Sequence, residues 1–222
     1  MNWKQSFSTS IGKKLQMSLT GIFLIVFLVV HCYINAQIFY NDGGTRFNEA
    51  AHFMGTNAVI RTVELGLFGF LILHVVQGLA LWAKNKARRS VAYTVTAGNK
   101  TSAWYSRSMA LLGTLILLFL IIHLAKFWGP NRLSTLTGHE ELKLYDMMKA
   151  EFQATWVVVV YLFGCISLGW HLAHGFYSAF QTLGLGTSKY KGMIKMVGYA
   201  FAIIVPLVFA LMPIAFNMNW VH

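Results

Sequence analysis

The sequence predicts an all-α integral membrane bundle of five transmembrane helices, and three observations carry that prediction. Hydrophobic residues make up 56% of the 222-residue chain and charged residues only 11%, where a globular domain carries about a quarter charged. Five apolar stretches each reach or exceed the ~20 residues that cross ~30 Å of hydrocarbon: Met17–Tyr40, Val59–Trp82, Trp104–Trp128, Ala154–Phe180 and Met193–Met218. The joining loops alternate between basic and acidic. Residues 1–222 read as one membrane domain, with no soluble domain and no low-complexity tail.

The first span is longer than a signal-peptide core and lacks a small-residue cleavage site; it carries His31. The second carries His74, with Glu64 near its opposite end. The third carries His123, one turn before Lys126, and the fourth carries His171 and His174 with no carboxylate between Gln153 and Gln181. The fifth holds Pro206 and Pro213 but no histidine, and is expected to close the bundle. Cys32 and Cys165 stand alone in separate spans and read as small apolar residues.

Charge sets the expected orientation. Lys4, Lys13 and Lys14 precede the first span; Lys84, Lys86, Arg88, Arg89, Lys100 and Arg107 follow the second; Lys189, Lys191 and Lys195 follow the fourth. All seven acids (Asp42, Glu49, Glu64, Glu140, Glu141, Asp146, Glu151) fall in the other two loops or beside them. The positive-inside rule then puts the N-terminus in the cytoplasm and the C-terminus outside. The net charge of +11 is accounted for by topology, so no nucleic-acid partner is expected. The basic face suits anionic lipid headgroups and equally a cytoplasmic partner docked on the 84–107 loop.

An ionisable side chain inside a span is costly and marks a functional site. One alone often only hydrogen-bonds a neighbouring helix, but here four of five spans carry one. Counting from the flanking charges, His31 and His123 lie in the outer half and His74 and His171 in the inner half, roughly 10 Å or more apart. Two bis-histidine b haems would need that arrangement: His31 with His123 outside, His74 with His171 inside. His174, one turn beyond His171, is not separated from it by spacing alone. With both axial positions filled, such an iron transfers electrons rather than activating oxygen. No C-x-x-C-H occurs, so covalent haem is not expected, and His52, His139 and His222 read as surface residues. The stripes Gly66–Phe70–His74–Gly78 and Gly164–Leu168–His171–Gly175 suit either close helix packing or a helix surface flattened against a porphyrin.

Three segments carry a resemblance: Gly12-Lys13-Lys14-Leu15-Gln16-Met17-Ser18-Leu19-Thr20-Gly21 before His31, Phe47-Asn48-Glu49-Ala50-Ala51-His52-Phe53-Met54, and His171-Leu172-Ala173-His174-Gly175-Phe176-Tyr177-Ser178-Ala179-Phe180-Gln181. Over essentially its whole length the chain resembles the dihaem cytochrome b membrane-anchor subunit of succinate dehydrogenase and fumarate reductase. The resemblance implies His31 and His123 as ligands of the distal haem and His74 and His171, the first histidine of H-x-x-H-G, as ligands of the proximal one. Ser18 matches a small polar residue near the proximal haem and implies a propionate contact. The implied partners are a flavoprotein with FAD and an iron–sulfur subunit on the cytoplasmic face. The implied electron carrier is a membrane quinone, menaquinone for this single-anchor type, and the implied location is the bacterial cytoplasmic membrane. The resemblance leaves room for a homo-oligomer of the complex.

Quinone chemistry exchanges protons, and Glu64 is the acid placed within an apolar span, with Glu49, His52 and Arg61 nearby. Glu64 or Glu49 is the expected proton carrier near the distal haem, although an i, i+3 salt bridge to Arg61 explains Glu64 equally well. Lys126 is expected either to meet a distal propionate or to reach the interface. Two other readings compete: the dihaem subunit of a formate, nitrate or hydrogen enzyme, whose ligands concentrate on fewer helices, and a proton-coupled transporter. A transporter would be expected to show internal repeats or broken helices, and neither is found.

Overall fold

A computed structural model describes residues 9–87, 108–138 and 142–221. Among them the chain is helical throughout, with no strand. Eight α-helices run α1 Ser10–Asn35, α2 Thr45–Thr56, α3 Ala58–Ala87, α4 Met109–His123, α5 Gly129–Leu136, α6 Leu144–Glu151, α7 Thr155–Thr182 and α8 Lys191–Asn217. Five continuous rods are long and apolar enough to cross a membrane: Ile11–Tyr40, Ala58–Lys84, Met109–Leu136, Thr155–Thr182 and Lys191–Asn217. The expected five-helix class is what the structure has.

The boundaries differ from expectation where capping, not hydropathy, sets them. The apolar run opens at Met17, but α1 begins at Ser10 because the Thr9 side chain accepts from Gly12 N at 3.1 Å. The third rod outruns Trp128 and ends at Leu136. Pro130 lacks an N–H and crowds the carbonyl four residues back; the chain widens into a π turn over Leu124–Trp128 and continues as α5. The expected start of this span at Trp104 lies outside the described residues, as do Lys4, Arg88, Arg89, Lys100, Arg107, His139, Glu140, Glu141 and His222.

Segments read as loops also contain two short helices. α2 and α6 lie across one end of the bundle, where Ile38, Phe47, Tyr145, Phe152 and Phe216 form a buried plug. Asn57 turns α2 into α3: its Oδ1 accepts from Val59 N and Ile60 N at 3.0 and 3.2 Å. At the other end α7 closes in a Schellman motif, Leu185 N to Phe180 O at 3.0 Å and Gly184 N to Gln181 O at 3.1 Å, with Gly184 at φ +79°.

α7 and α8 form the best-buried hairpin. Pro206 frees the carbonyl of Ala202, and α7 meets that oxygen with Gly169, where a Cβ would stand 3.1 Å from it. Beyond this hairpin, α1 packs on α3, α7 and α8, while α4 packs on α7 and α3. The rods alternate in direction: Gln77 late in α3 bonds Gln16 early in α1, Gly113 early in α4 abuts His171 late in α7, and Gly169 meets Ala202 across the α7–α8 hairpin. Lys13, Lys14, Lys84, Lys189, Lys191 and Lys195 therefore gather, exposed, at one end. Asp42, Glu49, Glu64, Asp146 and Glu151 lie towards the other.

Candidate functional site

Four of the rods close a ring: α1 packs on α3, α3 on α4, α4 on α7, and α7 on α1. The histidines span its two diagonals. His31 of α1 faces His123 of α4, ring centroids 5.9 Å apart and planes at 90°. His74 of α3 faces His171 of α7, centroids 6.3 Å apart and planes at 68°. A ligating nitrogen lies about 2 Å from its metal and the ring centre about 1 Å farther, so two imidazoles on opposite sides of one ion have centroids about 6 Å apart. Both pairs have that separation.

The pairs occupy two levels. Thr20 of α1 meets His74, and His31 follows eleven residues later; Gly113 of α4 abuts His171, and His123 follows ten later. At 1.5 Å per residue both helices put the levels about 15 Å apart. The structure thus brings together the same partners that depth in the sequence paired. His174 is half-buried one turn from His171 and outside the pair.

The donor set bears on what each pair can hold. Among the described residues no three His, Cys, Asp or Glu side chains converge on a point that could hold an ion. Each diagonal offers two imidazole nitrogens, which suits an iron whose other four positions are filled by a porphyrin. The Nδ1 atoms of His123 and His171 are buried without a protein partner. The other two differ: His74 Nδ1 lies 3.1 Å from Thr20 Oγ1, which can accept from it, whereas His31 Nδ1 lies 3.3 Å from Asn35 Nδ2, a donor that also bonds the His31 carbonyl at 2.7 Å. Residue type and ring separation on each diagonal fit the two axial ligands of a haem iron.

Aromatic rings fix the outer pair. Phe27 stacks on His31 from one turn back, and Phe119 stacks on His123 in the same way, with centroids 5.1 and 5.7 Å apart. Tyr161 packs edge-on against Phe119, Phe152 and His123. Three of the stripe glycines lie against neighbouring helices: Gly78 beside Met17, Gly175 beside Met109, and Gly164 beside Phe119. Gly164 serves helix packing, because Phe119 fills its place to within 2.6 Å of where a Cβ would be. Gly66 faces open space; outside the stripes, Gly21 and Gly113 lay bare backbone against His74 and His171, at 3.6 and 3.8 Å from a would-be Cβ.

Glu64 forms the ion pair with Arg61, at 2.5 Å, and also accepts from Trp128 Nε1 at 2.6 Å. That second bond ties α3 to the π turn beside a cleft of roughly 210 Å³ lined by Arg61, Trp128, Asn131 and Arg132 among others. Glu49 and His52 are exposed on α2. Lys126 is held by Glu151, Nζ to Oε1 at 2.8 Å. Ser18 is buried on α1. Thr20, Asn35, Tyr161 and Trp128 were not singled out from sequence. Asn35, one turn after His31, was within reach of an i, i+4 search; the others meet their partners only through tertiary packing. Comparison with protein-family models, curated proteins and solved structures gave no match.

Proposed function

We propose that this chain is the membrane anchor and electron-transfer subunit of a succinate:quinone oxidoreductase. The observation that supports this most directly is the pair of histidine diagonals, two levels of facing imidazoles at the separation that one iron between them requires. Each haem, when bound, supplies a one-electron couple. The chain's own part is to hold four imidazole nitrogens on rigid helices and to keep water out with Phe27, Phe119, Phe127 and Tyr161 around the outer pair. Filling both axial positions leaves the electron route and removes the oxygen route.

The lysine-rich end takes the cytoplasmic side by the positive-inside rule, which orients the His74/His171 pair towards an iron–sulfur subunit and the His31/His123 pair towards the outer leaflet. Five crossings then leave the C-terminus outside. At the outer end Glu64, clamped by Arg61 and Trp128, is the carboxylate that would exchange protons with menaquinone, with Glu49, exposed on α2, as the alternative. Succinate chemistry belongs to the flavoprotein and its FAD, and this chain has no catalytic part in it. The setting is a bacterial cytoplasmic membrane.

Purification from native membranes in mild detergent tests the assignment. A flavoprotein and an iron–sulfur protein should accompany the chain, and succinate should reduce its b-type absorbance, which a menaquinone analogue then reoxidises. A haem-bearing chain that arrives with a formate, nitrate or hydrogen enzyme, or that succinate leaves oxidised, contradicts it.

A further inference from the structure

Thr20 is almost wholly buried, 3% exposed, on the face of α1 that meets α3. Its hydroxyl lies 2.9 Å from the carbonyl of Gln16 and 3.1 Å from that of Met17. Carbonyl oxygens only accept, so two backbone acceptors, the usual partners of a mid-helix threonine, stand within reach of the single hydroxyl proton. The third neighbour of the same oxygen is His74 Nδ1, at 3.1 Å. A hydroxyl that donates to its own backbone faces that nitrogen as an acceptor, with the proton on Nδ1. The hydrogen bond from Gln77 to Gln16, one turn along both helices, holds α1 and α3 in the register this contact needs.

We infer that Thr20 is a positioning residue that fixes His74 as its Nδ1–H tautomer and leaves the Nε2 lone pair as the ring's ligating atom. The geometry makes the inner pair unequal, because His171 Nδ1 is buried with no protein partner. A hydrogen bond accepted from a ligating imidazole's outer N–H orients the ring and raises its basicity. A more basic ligand favours the oxidised iron. Thr20 therefore holds the potential of the inner haem down, through His74 and not by touching the iron.

The tautomer stands on the contacts of Thr20 alone; its redox consequence rests on the haem reading above, so the test has two readouts. The full-length chain, histidine-selectively labelled with ¹⁵N and kept haem-free in detergent, is examined by long-range ¹H–¹⁵N correlation, with His74 assigned through H74Q. Wild type and Thr20→Ser should show His74 protonated at Nδ1, and Thr20→Val should lose that preference. A wild-type His74 protonated at Nε2, or a T20V spectrum unchanged from wild type, overturns the inference whether or not haem binds.

The haem-loaded proteins are then titrated potentiometrically. In T20V the midpoint of one haem should rise, with roughly a tenfold shift towards the reduced form, or about 59 mV for one electron. The other haem should stay put and T20S should restore both. Two unshifted midpoints in a T20V chain that binds two haems overturn the redox consequence. A wild type that takes up no haem refutes the proposed function while the tautomer result stands.

Discussion

Tyr145 shows how a single buried side chain outside the spans answers to its surroundings. Burial raises its phenol above the ordinary tyrosine value, and the Asp42 and Asp146 carboxylates add to the rise. A raised value in the folded state means that the folded protein prefers the neutral phenol. That preference contributes fully below the unfolded value of about 10 and is lost as pH climbs past it towards the folded value. Wild-type thermal stability should thus fall more steeply than that of Y145F as pH rises above about 10; parallel curves contradict this. The Tyr145 hydroxyl has no protein partner, so at neutral pH Y145F should cost less than about 1 kcal/mol, because no bond is broken. The histidines were legible as residues, since an ionisable group inside an apolar run stands out against its neighbours. What orients them was not: Thr20 lies fifty-four positions from His74, and no periodicity links the two.

Among the elements, close contacts at glycine carry the strongest constraints. At Gly44, φ is +79° and a Cβ would fall 2.1 Å from the Tyr145 ring, in the plug over the acidic end. G44A should therefore destabilise by about 2 kcal/mol or more, read as a lowered melting temperature. At Gly164 a Cβ would fall 2.6 Å from Phe119, whose ring stacks on His123. G164A should cost about 1–3 kcal/mol by overpacking α4 against α7, and it should perturb the outer haem's spectrum while leaving the inner one unchanged. Equal perturbation of both haems would contradict the separation into levels. Hydropathy located all five rods because a membrane span is the strongest periodicity-free signal a sequence carries. It missed α2 and α6, which are short and amphipathic, and it misplaced the ends that the Thr9 cap and the Pro130 π turn set.

The whole molecule couples these parts through one topological fact, that neighbours in the helix ring pack while diagonals carry the histidines. Depth along each span was enough to pair His31 with His123 and His74 with His171, because an approximate charge boundary at each helix end fixes height to within a turn or so. The ring order itself was not legible, since nothing in a span's sequence says which other span it touches. This arrangement predicts losses in pairs. H31A and H123A should each remove the same haem, H74A and H171A the other, and H174A neither. A chain in which H174A, and not H171A, removes the inner haem would reassign that ligand.

The most direct measurement is the haem content of the purified full-length chain by pyridine haemochrome, with a reduced-minus-oxidised spectrum. Two b haems per chain are predicted, one for each diagonal. An intact, folded chain that carries none when haem is supplied during expression would contradict the electron-transfer function.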